Sequence, residues 1–244
     1  MAIQVWTDMS VLDGALELRG LGKNVTCTTE AVALDKTTYA SEGWTEHIGG
    51  LKSGTVDMEL LQDRAAGGLD ELAWSYLGVA GIPKSLTSAS TDGAVAYLMN
   101  GISLGYTPVD GEVGQLATTR ISGRSASSPV VRGKLLHPTL TARTSSSTGT
   151  GRQLGAVVAG KSLYAALHVV EVSGTTPSLT VKVQSDDNAD FTSATDRITF
   201  TAATDETYEW SSVAGAVTDD YWRITYTISG TNPSFKFAVT AGIL

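Results

Sequence analysis

Between Leu163 and Leu244 the chain alternates apolar and polar side chains in one short segment after another, and this pattern leaves little choice but β-sheet. In SLTVKVQS, Leu179, Val181 and Val183 alternate with Thr180, Lys182 and Gln184. DRITFTAA repeats the pattern with Ile198 and Phe200, YWRITYTIS with Trp222, Ile224, Tyr226 and Ile228, and SFKFAVTA with Phe235, Phe237 and Val239. In LYAALHVVEV, the odd positions Leu163, Ala165, Leu167 and Val169 share one face. A period of two sends apolar groups to one side of a sheet and polar groups to the other. A one-sided sheet must cover that side with a second sheet, so residues 156–244 are expected to form a jelly-roll- or Ig-like β-sandwich. The segments SGTTPS, SDDNAD, TDE and SGTNPS carry turn chemistry and are expected to separate the strands.

The first part, residues 1–143, also reads as mainly β. GKNVTCTT, GTVDMELL, GAVAYLMNGISLGY, GQLATTRIS and SPVVRGKLL have strand character. GLDELAWSYLG differs: Leu69, Leu72, Ala73, Tyr76 and Leu77 share a helical face, Asp70 and Glu71 suit the first turn, and Gly78 suits the stop. The Ser/Thr/Gly-rich stretch 144–155 is expected to be a flexible linker between the two parts. LDKTTYASEGWTEHIGGLKSG, residues 34–54, shows little periodicity and reads as a long loop. Its Tyr39, Trp44, Ile48 and Leu51 need an apolar partner, either the domain's own sheet or a neighbouring chain.

Composition narrows the function classes. Of 244 residues, 42% are hydrophobic and 17% charged, which excludes a disordered chain. The formal charge is −8, shared equally by the parts before and after Arg143. No run of Lys or Arg offers a groove for phosphates. No apolar run reaches the ~18 residues of a membrane helix, and MAIQVWTDMSVLDG has no secretory-signal pattern. Cys27 is the only cysteine, so no intrachain disulfide forms. Its place in NVTCTT suggests a small buried or half-buried strand residue.

The search for chemistry returns candidates that structure explains better. Gly155–Ser162, GAVVAGKS, has the letters of a phosphate-binding P-loop. Such a loop follows a buried strand and opens a helix, whereas here a Ser/Thr/Gly stretch precedes it and a strand pattern follows. Gly160 and Lys161 are therefore expected in a polar turn. His47, His137 and His168 are far apart and lack metal-ligand spacing. No catalytic, cofactor or metal residue is assigned, and the chain is not expected to be an enzyme. Two surface-ligand candidates remain: the acidic turn with Asp186 and Asp187, read as a solvated turn or a cation loop, and the aromatics Trp210 and Tyr221, read as core or as a sugar-stacking platform.

One ordered set of residues resembles the major tail (tail tube) proteins of long-tailed bacteriophages. It runs through Leu34-Asp35-Lys36-Thr37-Thr38-Tyr39, Ser41-Glu42-Gly43-Trp44-Thr45-Glu46 and Gly49-Gly50-Leu51-Lys52-Ser53-Gly54 into the strand Thr55–Leu61. It is followed by the helix and by later strands up to Val130-Val131-Arg132-Gly133-Lys134. The resemblance covers about residues 15–140 and implies a tail-tube-like β-sandwich or barrel with one α-helix. It further implies self-assembly into stacked, hexameric rings around a channel for DNA, which passes without specific binding. Tyr39, Trp44, Ile48 and Leu51 would then be inter-subunit contacts. The second domain would project outward, other tail proteins would meet the tube ends, and the site of action would be the virion tail, built in the host bacterial cytoplasm. A minimal tube subunit needs no second domain, so the chain is either the tube subunit with a decoration or another virion component. The alternative is a virion-borne or secreted β-sandwich that binds carbohydrates on host surfaces. Asp57 and Glu59, in one strand, are expected to point to opposite sides, so that only one could face a channel.

Overall fold

Fifteen elements account for most of residues 7–244, the part described by the computed structural model. They are β1 (Ser10–Asp13), β2 (Leu16–Glu17), β3 (Gly22–Asp35), β4 (His47–Leu61), α1 (Leu69–Tyr76), β5 (Ala80–Thr87), β6 (Val95–Asp110), β7 (Thr118–Ser125), β8 (Val131–His137), β9 (Ser147–Thr148), β10 (Arg152–Gln153), β11 (Ser162–Asp186), β12 (Thr195–Thr199), β13 (Thr207–Ala214) and β14 (Tyr221–Ile243). The fold is mainly β, and every ladder between these strands is antiparallel. None of the described helices is long and apolar enough to cross a membrane.

The C-terminal sandwich is built from a single ribbon. β11 and β14 pair along nearly their whole length, from Leu163 opposite Ile243 to Asp186 opposite Tyr221. The alternating residues meet inside: Leu163, Leu167, Val181, Trp222, Phe235 and Phe237 belong to one buried cluster. SGTTPS and SGTNPS are not strand-ending turns, contrary to expectation. They lie opposite each other within the ribbon, where the register shifts. Gly174 (φ +115) and Gly230 (φ +122) take backbone conformations that suit glycine, and Thr176 and Asn232 are left-handed too. The ribbon bends at this double corner, and its two halves become the two facing layers. A Cβ on Gly174 would stand 2.6 Å from the Asn232 carbonyl oxygen, and one on Gly230 2.7 Å from that of Thr176. The two backbones touch where they fold.

The N-terminal half closes over a second cluster containing Val11, Leu18, Val56, Met58, Leu60, Ile82, Met99 and Ile121. Helix α1 contributes Leu69, Ala73 and Tyr76 to it. β6 is long enough to serve two layers. Its first part pairs with β5 and β8, and its second part, from Gly101 to Asp110, pairs with β7. β7, β4 and β3 then follow in order.

The two halves share hydrogen-bonded sheet, because β8 pairs with both β6 and β14. The stretch 144–155, expected to be a flexible linker, is laid along the edge of β14. β9 and β10 pair with it, and Gly149 N–H donates to the Ile224 carbonyl at 2.9 Å. The Trp222 indole N–H donates to the Gly155 carbonyl, also at 2.9 Å. Backbone groups in a segment too polar for a core can still be satisfied at a sheet edge.

A buried polar node locks the halves together. His168 on β11 has both ring nitrogens engaged: Nδ1 lies 2.7 Å from the Gly14 carbonyl and Nε2 2.9 Å from Ser85 Oγ, which is 2.8 Å from Thr240 Oγ1. The carbonyl can only accept, so Nδ1 carries the proton and Nε2 accepts from Ser85. Burial pushes the His168 pKa down to about 4, and that of His137, stacked 4.3 Å from the Phe237 ring, equally to about 4. On the other face of β5, Lys84 is buried with Asp13 at 2.5 Å and Ser103 Oγ at 3.0 Å.

Both histidines bind protons less readily folded than unfolded. Their stabilising neutrality is complete above the unfolded value of roughly 6.5 and is lost as pH falls towards 4. Urea unfolding measured from pH 7 to pH 4 is expected to show a loss of up to roughly 3 kcal/mol per histidine. His168→Gln should cost stability at pH 7, by about 1–3 kcal/mol through the broken node, and should weaken the dependence on pH.

Candidate assembly site

The segment 34–54 is a projecting hairpin and not the long loop expected from its sequence. β3 and β4 pair from Gly22 opposite Leu60 out to Asp35 opposite His47. β7 supports β4 only from Thr55 to Leu61. The eight residues His47–Gly54 and their partners on β3 therefore form a two-stranded arm, roughly 26 Å long at ~3.3 Å per residue.

The tip of the arm explains the sequence motif physically. The Asp35 carboxylate accepts from Thr37 N–H at 2.8 Å, and Thr37 Oγ1 accepts from Glu46 N–H at 2.9 Å. A 3-10 turn at Tyr39–Ser41 is capped by side chains: Thr38 Oγ1 accepts from Ala40 N–H at 3.3 Å, and Ser41 Oγ accepts from Thr38 N–H at 3.1 Å. Glu42 and Gly43 take left-handed conformations (φ +50 and +86), and Trp44 N–H then donates to the Ser41 carbonyl at 2.9 Å. Lys36 and Glu46 pair at 2.9 Å across the neck. The motif residues Asp35, Thr37, Thr38 and Gly43 thus define the shape of the turn.

That turn displays aromatic surface to solvent. Tyr39 is fully exposed, Trp44 is 80% exposed and Leu51 is 85% exposed. Ile48 is also exposed and stands opposite Leu34, which with Val32 adds two aliphatics absent from the sequence-based set. All four expected contact residues therefore lie on one arm, exposed and outside the buried clusters of the described residues. Tyr39 and Trp44 alone present roughly 300–500 Å², a large part of the ~800 Å² that each side of a standard interface buries.

The arm grows out of a four-stranded sheet, β3-β4-β7-β6, with a polar outer face. Thr26, Asp57 and Ser122 stand in one cross-strand row, and Asn24, Glu59, Arg120 and Thr107 in another. Val56, Met58 and Leu60 point to the core, so Asp57 and Glu59 both point outward. The expectation that they face opposite sides is corrected by the period of the strand: residues two apart share a face. Among the described strands, β3 has β4 as its single neighbour, and β6 has none on its second side beyond Ser103. Cys27, expected to be buried or half-buried, is exposed on this edge strand.

The remaining candidates are dispersed. Asp186 is buried, and its oxygens accept from Asn188 and Ser193 N–H at 3.0 and 2.8 Å, so it shapes the turn. The neighbouring Asp186 carboxylate raises the pKa of Asp187. Tyr221 pairs with Asp186 across β11 and β14. Trp210 sits on β13 opposite Ala166, half-buried, with its ring tilted against that of Tyr164 at a centroid distance of 5.7 Å. Trp210 thus lies at the junction of the halves and Tyr221 at the start of β14. Among the described residues no group of three or more His, Cys, Asp or Glu is arranged to hold a metal. At GAVVAGKS, Lys161 N–H closes a turn on Val158, and β11 starts at Ser162 as a strand.

Neither a protein-family model nor a curated protein matches the chain. Among solved structures, it is similar to a chain in the virion of a native gene transfer agent particle. That match has 17% identity and a TM-score of 0.42 over 52% of this chain and 98% of the other. A chain of the sheath-tube complex of an extracellular contractile injection system matches at 10% identity and TM-score 0.41, over 53% and 90%. The Dit hub protein of the phage SPP1 adsorption apparatus matches at 9% identity and TM-score 0.36, over 97% and 99%.

Because Trp44 is 80% exposed and belongs to none of the buried clusters, Trp44→Asp is expected to leave the thermal unfolding of the monomer unchanged within about 0.5 kcal/mol. By contrast Gly174→Ala, which drives a Cβ into the facing backbone, should destabilise by at least about 1 kcal/mol. A melting series of the two variants beside the parent checks both.

Proposed function

We propose that the chain is a structural subunit of a phage-type virion tail that assembles with copies of itself into a tube. The observation that carries this reading is the projecting arm, with Tyr39, Trp44, Ile48 and Leu51 presented to solvent on a hairpin too long for its own sheet to cover. Apolar groups held in a fixed geometry away from the core are the usual mark of an interface.

The sheet at the base of the arm supplies a route to ring closure. β3 and the second part of β6 are the two edges of one four-stranded antiparallel sheet, the β6 edge interrupted at Pro108, whose carbonyl accepts from Gln62 and Arg64. With an even number of strands, the two edges run in opposite directions. A neighbour related by rotation therefore brings its β3 antiparallel to this β6, and the seam continues the alternation of the sheet. β3 carries few of the devices that blunt an edge: it has no proline, and Lys23, Glu30 and Asp35 are its charged residues. Closure would turn the face bearing Thr26, Asp57, Glu59 and Ser122 towards a lumen through which DNA passes without specific binding, and the arm would reach a neighbouring subunit or ring. Hexameric rings, contacts with other tail proteins at the tube ends and manufacture in the bacterial cytoplasm follow from the family resemblance.

Negative-stain microscopy of concentrated protein is expected to show rings or tubes. Trp44→Asp or Leu51→Asp should abolish them while leaving a folded monomer. A parent protein that stays monomeric at high concentration, with no tube in any particle containing it, would overturn the proposal.

A further inference from the structure

One row of charged side chains crosses the polar sheet from edge to edge with alternating sign. Lys23 on β3 pairs with Glu59 on β4 at 3.1 Å. Glu59 stands directly opposite Arg120 on β7. Arg120 in turn reaches Asp110, the last residue of β6, at 3.5 Å. The order across the four strands is plus, minus, plus, minus. The two end members lie on the two edge strands. Lys23 has its carboxylate partner on one side and its side chain 47% exposed, and Asp110 has its guanidinium partner on one side and 40% exposed.

We propose that this row continues across the subunit boundary, with Asp110 of one copy facing Lys23 of the next. The inference rests on the ring reading above and adds to it a specific pair. Rotation places the β3 edge of each copy beside the β6 edge of its neighbour, and a row that begins with plus and ends with minus repeats without interruption around the ring. Opposite charges on adjoining strands are mutually stabilising and like charges are not, so the row favours this heterologous seam. An antiparallel two-fold seam of β3 against β3, or of β6 against β6, carries Lys23 or Asp110 of the two copies to opposite ends of the seam, so neither end of the row meets its complement. The partner is a second copy of this chain, because its two edges carry the two complementary ends.

The test uses Lys23→Glu and Asp110→Lys, separately, mixed in equal amounts, and combined in one chain. Each single variant puts like charges at every seam, and its threshold concentration for assembly is expected to rise at least tenfold over the parent. In the equimolar mixture, alternating copies have opposite charges at both kinds of seam, so assembly returns. It also returns in the double variant. Neither rescue relieves the repulsion each substitution creates beside Glu59 or Arg120 in its own chain, so recovery reports the seam itself. Mixed rings of strictly alternating copies close only with an even number of subunits; in an odd ring the double variant alone restores assembly. If the parent assembles and the single variants assemble as readily, or if neither the mixture nor the double variant recovers, the pairing is overturned and the ring stands. If the parent does not assemble, the ring reading falls and the pairing with it.

Discussion

A two-stranded ribbon that leaves its parent sheet has no second layer against which to bury apolar side chains. β3 and β4 accept this constraint from Gly54 outward, and the consequences reach through the molecule. The arm cannot be held rigid by a core, so its tip is held by hydrogen bonds from Asp35, Thr37, Thr38 and Ser41. Its aromatics cannot turn inward, so they stay in water at a cost that only another surface removes. Its outer strand has an uncovered row of backbone groups, the chemical prerequisite for extending a sheet. Under the proposed assembly, stability of the monomer and the interface are carried by different residues. The buried clusters hold the fold, and the arm contributes almost nothing to it.

The attachment of the second sandwich changes what such a decoration could be. A tethered domain would sample many orientations, and its ligands would meet it wherever it swung. Here β8 and β14 share a ladder, His168 is bonded to Gly14 and Ser85, and Arg152 pairs with Asp92 at 3.0 Å. The orientation of the sandwich relative to the polar sheet is set by buried bonds, so any repeat imposed on one half is imposed on the other. The Ser/Thr/Gly stretch works as edge strand in that arrangement, with its composition satisfied by β14 on one side and solvent on the other.

What the sequence disclosed depended on whether the relevant force was local. Period-two alternation placed Leu163, Val181, Trp222 and Phe237 on one buried face, and all four are there. The helix was legible from Leu69, Ala73 and Tyr76 for the same reason. The corners at Gly174 and Gly230 were misread because their Gly and Pro signals are local, while the fact that they face each other is not. The arm was misread as a loop because a ribbon exposed on both faces has no alternation to display. Its aromatic content was the visible clue, and its edge partners Val32 and Leu34 were hidden in an ordinary strand. Asp13 and Lys84, opposite each other across β1 and β5, could not be found without the register.

The net charge of −8 is not concentrated on the polar sheet, the face that the proposed ring would turn towards passing DNA. Lys23, Arg120 and Arg124 stand on it or at its rim beside Asp57, Glu59 and Asp110, so this face is close to neutral. Sliding without sticking has a physical route on such a face. A cation already held by a neighbouring carboxylate neutralises few phosphates and releases few counterions when DNA passes, so the electrostatic part of binding is small. Lys23 and Arg120 are held in this way, and between them the surface is Thr, Ser and Asn, which exchange hydrogen bonds with water at little net cost. On this view the pairing that balances the face is the same pairing that tells one edge from the other. The row of charges would serve closure of the ring and passage through it at once.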